Sequence, residues 1–224
     1  MSTVLPPGVE GNLREYVQGG SAEWMQIKHR RFYTNAFIIQ DGKILLGYKK
    51  RGFGMHKFVD FSIPTHSALI PEVPDRYNGF GGKVEPGETP FQAALRELKE
   101  EAGIEAPLQH AGTLIFVAEG VDWAFQIEVF SAKCYTGTPV ETDEMRPEWF
   151  TLSLPGESTP SCVLSNGMAE VLPIPYDKMR EDDVHWLPLL IKDRPFVGRA
   201  DLEKNGEDFS MTRYWFGTVE PKRQ

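Results

Sequence analysis

The chain has 224 residues, 41% of them hydrophobic and 25% charged, and its 24 Lys and Arg against 32 Asp and Glu leave a net charge of −8. Those values suit one folded domain and exclude wholesale disorder; the acidic balance gives no basic stripe for gripping duplex nucleic acid, and no apolar run is long enough for a membrane-spanning helix. Two cysteines, Cys134 and Cys162, exclude a disulfide framework and a four-ligand zinc site, and the first residues lack the basic and apolar regions of a secretory signal, so a reducing cytosolic or nuclear setting is expected.

Residues 1–28 carry Pro, Gly and few apolar side chains and read as an irregular N-terminal extension, with a short helix around Ala22–Ile27. Phe32–Gln40 and Lys43–Tyr48 flank Asp41-Gly42 and read as a β-hairpin. The aperiodic stretch at 55–76 reads as a long insertion. A glycine cluster follows at Gly79, Gly81 and Gly82. Thr89 and Pro90 then suit the N-cap and first turn of a helix over Pro90–Ala102, with Ala93, Ala94, Leu98 and Ala102 as its apolar face and Gly103 as its stop.

Thr113–Glu119 and Trp123–Tyr135 read as strands joined at Gly120, and Trp149–Leu152 as a short strand. A second insertion is expected at 153–173. Asp182 or Asp183 suits the cap of a helix carrying Trp186, Leu187, Leu189 and Leu190. Phe196–Leu202 and Phe209–Phe216 flank Asn205-Gly206, a strong hairpin signal. The pattern is α+β: a mixed sheet with two helices, forming one domain over 29–218 and a tail at 219–224.

The densest carboxylate cluster is Glu97, Glu100 and Glu101, which share one helix face by their i, i+3, i+4 spacing. Two readings stand. The triplet is a solvated surface, or its mutual repulsion is relieved by a hard divalent cation with oxygen ligands, of which Mg²⁺ is the usual choice beside phosphates. The triplet alone suits a solvated face; its sequence context points the other way. From Gly82 the chain runs through five residues to Glu88, and through seven more to Arg96-Glu97-Leu98-Lys99-Glu100-Glu101-Ala102-Gly103-Ile104.

That run resembles the Nudix box at every defined position. The segments 45–54, 78–84 and 137–147 and the pair Asp182-Asp183 resemble, more narrowly, the oxidised purine nucleoside triphosphatase branch of the Nudix hydrolases. The resemblance implies an α/β/α sandwich around a mixed β-sheet. It implies Mg²⁺-dependent hydrolysis, with Mn²⁺ as a substitute, of oxidised purine nucleoside triphosphates such as 8-oxo-dGTP and 2-hydroxy-dATP. The products are the monophosphate and pyrophosphate, and the role is cleansing of the nucleotide pool.

By the same resemblance, Glu97, Glu100 and Glu101 bind metal and activate water, with Glu101 the main base and Arg96 holding the carboxylates in register. The Gly81 carbonyl and Glu144 are further metal ligands. Asn78, Asp182 and Asp183 face the base; adjacent buried aspartates do not both ionise easily, so one can donate while the other accepts. Thr34, Phe53, Phe116 and Phe125 line the pocket, and Lys49 lies near the sugar and phosphates. The bland alternatives are that the aspartates cap the helix and each Phe is core.

Arg180 stands where the mammalian enzymes have a stacking tryptophan, so either its guanidinium stacks on the purine or it leaves the pocket open. Expected partners are the nucleotide alone, with no duplex nucleic acid and no membrane, for a monomer in the cytoplasm, with nuclear or mitochondrial fractions. The alternatives are a Nudix pyrophosphatase for ADP-ribose, a dinucleotide or a methylated purine triphosphate, or a non-catalytic nucleotide-binding or scaffold protein.

Overall fold

The computed structural model describes residues 4–50, 76–152, 171–206 and 208–220. Among the described residues nine strands form one mixed sheet: β1 (Leu13–Gly20), β2 (His29–Gln40), β3 (Lys43–Lys49), β4 (Tyr77–Asn78), β5 (Gln109–Ala118), β6 (Trp123–Ala132), β7 (Met145–Thr151), β8 (Phe196–Asn205) and β9 (Asp208–Val219). Their order is β1-β9-β8-β5-β6-β2-β3-β4, with β7 also paired to β3. Two pairings are parallel, β2 with β6 and β5 with β8. Helix α1 (Pro90–Ala102) and helix α2 (Asp183–Ile191) cover opposite faces, and a 3₁₀ turn at Tyr176–Lys178 leads into α2. The fold class is the expected α+β sandwich.

Alternation along β2 divides the core. Ala36 and Ile38 point toward α1, where Ala94, Leu98 and Ala102 bury their side chains beside Leu45 and Phe130. Phe37 and Ile39 point the other way, into a larger cluster with Trp186, Leu187 and Leu190 of α2 and with Leu114 and Phe116 of β5. Helix α1 has the bounds its capping signals require. Thr89 accepts from Gln92 N while the Gln92 side chain accepts from Thr89 N, Pro90 opens the first turn, and Gly103 closes the last at φ 73°.

Three readings of the sequence are corrected. The N-terminal segment is not irregular and has no helix at Ala22–Ile27: β1 pairs antiparallel with β9 along its length. Behind it, Val9, Trp24 and Met25 pack on Ile115, Val117 and Trp215. The anchor is a completely buried ion pair. Arg199 grips Asp201 through Nε and Nη2, both at 2.8 Å, and also donates to the carbonyls of Pro7 and Met25 (2.6 Å to Met25 O); Met25 N donates to Asp201 Oδ2 at 2.6 Å. Second, Asp182 stands at the N-cap of α2, but its carboxylate makes no capping bond. Third, β5 begins at Gln109 and β7 at Met145, earlier than the apolar runs suggest. Most of both insertions, and Cys162, lie outside the described residues; Cys134 is an exposed free thiol.

Candidate active site

The glycine cluster is laced to β2. Ala36 and Phe80 exchange backbone bonds of 2.7 and 2.9 Å, Thr34 N donates to Gly82 O at 2.8 Å, and Val84 N donates to Phe32 O at 3.0 Å. The approach is too close for side chains. A Cβ on Gly81 would sit 2.0 Å from Thr34 O, and one on Gly82 would sit 2.5 Å from Glu97 Oε1. Glycine is needed here for proximity.

Helix α1 brings its carboxylates to this loop. Glu101 is buried, and its Oε2 accepts from Gly81 N at 2.7 Å. Arg96 forks onto Glu88 at 2.7 and 3.0 Å, and its Nη1 donates to Glu97 Oε1 at 2.8 Å and Glu100 Oε2 at 3.1 Å. One guanidinium thus ties three carboxylates and the loop before the helix. It holds the Glu88 carboxyl down at about 2. The Glu97 carboxyl is pushed up instead, first by burial and then by the charges of Glu100 and Glu144, and Arg96 does not cancel this.

Among the described residues no three Asp, Glu, His or Cys side chains close on one point as a ready-made cage. The donor set nevertheless fits a hard divalent cation. Glu97 carries a partly desolvated carboxylate whose pairing with Arg96 does not offset its burial, and Glu100 on the same face is exposed. Such ions bind through one or two carboxylates, waters and substrate phosphates. Glu144 reaches this region electrostatically through its effect on Glu97; it is exposed on the loop before β7.

A second group of polar side chains lies on the α2 face. Asp182 and Asp183 are both 2% exposed. Asp182 accepts from Trp186 Nε1 through Oδ2 and from Arg180 Nε through Oδ1, both at 3.0 Å. Asp183 Oδ2 accepts from the backbone N of Arg180 at 3.0 Å. Burial, and then the Asp182 charge beside it, push the Asp183 carboxyl well above the ordinary range, against the opposing field of Arg180 and Arg76. Asp183 is thus the carboxyl on which a proton is most readily held, while Asp182 already accepts from two donors. The Tyr176 hydroxyl, pushed up to about 12 chiefly by burial, stays neutral. The Arg180 guanidinium lies 4.9 Å over the Phe116 ring and pairs with Asp182.

Asn78 ends β4, and its Oδ1 accepts from Gly79 N at 2.9 Å and from Asn35 Nδ2 at 2.8 Å. Phe125 is half-buried, pairs with Phe116 in the sheet register and meets the Tyr33 ring at a tilt of 35°, centroids 5.5 Å apart. Tyr33, Asn35 and Phe37 share the α2 face of β2. Thr34 belongs to the α1 face, so alternation puts it with Gly81 and Gly82 and away from the aspartate pair. Lys49 ends β3, opposite Met145. Phe53 lies outside the described residues. The side chain that sequence reading missed is Asn35, 7% exposed. Its one signal was an amide inside a run otherwise suited to a buried strand, where Asn is depleted.

Comparison with known proteins agrees with this architecture. The NUDIX domain pattern matches residues 35–160. The oxidized purine nucleoside triphosphate hydrolase of Danio rerio is 35% identical over 169 residues, 75% of this chain and 84% of that protein. The Mus musculus protein of the same name is 35% identical over 174 residues, 77% of this chain and 87% of its own length. A crystal structure of a mutator MutT protein from Bacillus halodurans superposes with a TM-score of 0.50 at 20% identity, covering 83% of this chain and 97% of the other, a likeness of fold. Matched over more than half its length by the domain pattern and over three quarters by the vertebrate proteins, the chain belongs to the NUDIX-domain hydrolase family.

Proposed function

We propose that this chain hydrolyses oxidised purine nucleoside triphosphates, 8-oxo-dGTP and 2-hydroxy-dATP among them, to the monophosphate and pyrophosphate, and so cleanses the nucleotide pool. The supporting observation is that one strand, β2, has the carboxylate helix on one side and, on the other, buried Asn35 on the face that packs toward Asp182, Asp183 and Arg180. A nucleotide whose base meets the second side can lay its phosphates against the first. The names carried by the vertebrate relatives agree with this reading.

Hydrolases of this family use a divalent metal, and we take it to be Mg²⁺. Glu97, Glu100 and Glu101, with the Gly81 carbonyl and Glu144, would hold it. Bound there, the ion would neutralise phosphate charge and acidify a water. The chain's own residues do the rest. Glu101, oriented by the Gly81 amide, takes the proton from the attacking water. Arg96 keeps Glu97 and Glu100 in one orientation. On the far face, the protonated Asp183 donates to the purine edge and Asp182 accepts from it, while Asn78 contributes its amide. Arg180, seated over Phe116, supplies a flat cationic surface in place of an aromatic one. Lys49 would meet the sugar and phosphates, Phe116 and Phe125 the base, and Thr34 stands on the side of β2 that faces the glycine loop. We take the enzyme to be a monomer of the cytoplasm, with nuclear or mitochondrial fractions.

The test is Glu101→Gln. Turnover should fall by several orders of magnitude with the melting temperature little changed; near-normal turnover would refute the assignment of the base. A second reading, hydrolysis of another nucleoside diphosphate derivative, draws on Arg180, because a cation stacks less selectively than a tryptophan. Side-by-side rates on ADP-ribose and the oxidised triphosphates separate the two.

A further inference from the structure

Asn35 sits in mid-strand on β2, buried, on the pocket face. An amide there is unfavourable for the fold. Burying it costs on the order of 1–3 kcal/mol unless it is bonded, and its Oδ1 has no partner among the described residues. An aliphatic residue would avoid that cost, so the amide's other end requires an explanation.

The bonding polarity is fixed by the backbone. Gly79 N can only donate, so the atom of Asn78 that it meets at 2.9 Å is the carbonyl oxygen. Asn35 approaches that same oxygen at 2.8 Å, and must do so through its NH₂ group. Two donors therefore hold the Asn78 carbonyl inward. The Asn78 NH₂ group is left for a ligand, with no hydrogen bond to the described residues. Glycine at position 79 is what gives Asn35 its place: a Cβ there would lie 2.2 Å from Asn35 Oδ1 and 2.6 Å from Phe37 Cζ.

We propose that Asn35 is a specificity-positioning residue: its bond to Asn78 keeps that amide turned with NH₂ toward the base, so the pocket favours purines presenting a carbonyl oxygen there over purines presenting an amino group. This rests on the reading of the chain as a purine nucleoside triphosphatase. Within that class it ranks 6-oxo bases above 6-amino bases.

The experiment uses the full chain, Asn35→Leu and Asn35→Asp. Binding of the product monophosphates 8-oxo-dGMP and 2-hydroxy-dAMP is measured by calorimetry, beside kcat and KM for the triphosphates and thermal melting. Asn35→Leu should weaken 8-oxo-dGMP roughly tenfold, the scale of one oriented hydrogen bond. It should leave 2-hydroxy-dAMP within about twofold, act through KM with kcat kept, and keep or raise the melting temperature. Asn35→Asp removes the donor and accepts from the Asn78 NH₂, which should turn the amide and reverse the order of the two ligands. Equal losses for both ligands, or none, would overturn the proposal while wild-type turnover upholds the function. A wild-type protein that neither binds these monophosphates nor cleaves their triphosphates would overturn both.

Discussion

Gly81→Ala tests the geometry of the site most sharply. The added methyl would meet Thr34 O at 2.0 Å, Thr34 C at 2.6 Å and Asn35 Cα at 2.9 Å. All three are backbone atoms of β2, so no rotamer relieves the contact. Non-bonded carbon separations run to about 3.5 Å, and the loop must retreat by more than about 1 Å. That retreat loosens the Thr34 N–Gly82 O bond and draws the Gly81 amide off Glu101 Oε2, 2.7 Å away. Misplacement of this size costs about 100-fold in rate, and forced overpacking costs about 1–3 kcal/mol. In a domain of this size that lowers Tm by roughly 2–4 °C per kcal/mol. Gly82→Ala is the control: the atoms nearest its methyl belong to the Glu97 carboxyl, the far end of a flexible side chain. It should lower turnover with little change in Tm. The assay is pyrophosphate release beside a thermal melt. Gly81→Ala with turnover within about threefold of wild type would refute the reasoning, since a displaced Glu101 should cost far more.

Asp201→Ala strands the buried Arg199 charge and should cost about 3–5 kcal/mol in denaturant unfolding, whereas Arg199→Met with Asp201→Leu together should recover most of it; a loss under about 1 kcal/mol would contradict the anchoring role. Asp183 titrates higher in the fold than in the unfolded chain, so its contribution to stability is complete at low pH and disappears as pH rises through the raised value. Nucleotide affinity should fall over the same window as the donor proton leaves, and Asp183→Asn should flatten both profiles; unchanged slopes would exclude Asp183 as the titrating donor. Glu88 shows the opposite sign. Its carboxyl is depressed to about 2, so its stabilising pairing with Arg96 is present above the ordinary carboxylate value of 4.5 and fades as pH falls toward 2. Arg96→Ala should remove that acid-limb dependence in melts taken across this range.

Helix α1 was legible because its signals are local: Thr89, Pro90, Gln92 and Gly103 each act within one turn. The hairpins at Asp41-Gly42 and Asn205-Gly206 are legible for the same reason. Strand β1 was not. Its residues, such as Arg14, Glu15 and Gln18, alternate half-buried and exposed at a sheet edge, and what holds the segment is an ion pair about 175 residues further along, bonding Met25. Asp182 read as a cap because an aspartate before a helix usually is one. Trp186, one turn on, and Arg180 take its carboxylate instead. Thr34 and Asn35 show the limit of a motif: adjacent strand residues face opposite sides, and only the register with the glycine loop tells which one meets the pocket.

The central claim is that the carboxylate helix and the α2-face pocket act on one oxidised purine nucleotide. Pyrophosphate release from 8-oxo-dGTP, 2-hydroxy-dATP, dGTP and dATP, with Mg²⁺ and with chelator, tests it directly. The account predicts Mg²⁺-dependent turnover with a large kcat/KM advantage for the oxidised purines, and 8-oxo-dGTP ahead of 2-hydroxy-dATP. Equal turnover of dGTP and 8-oxo-dGTP, or no cleavage of any purine triphosphate, would contradict it.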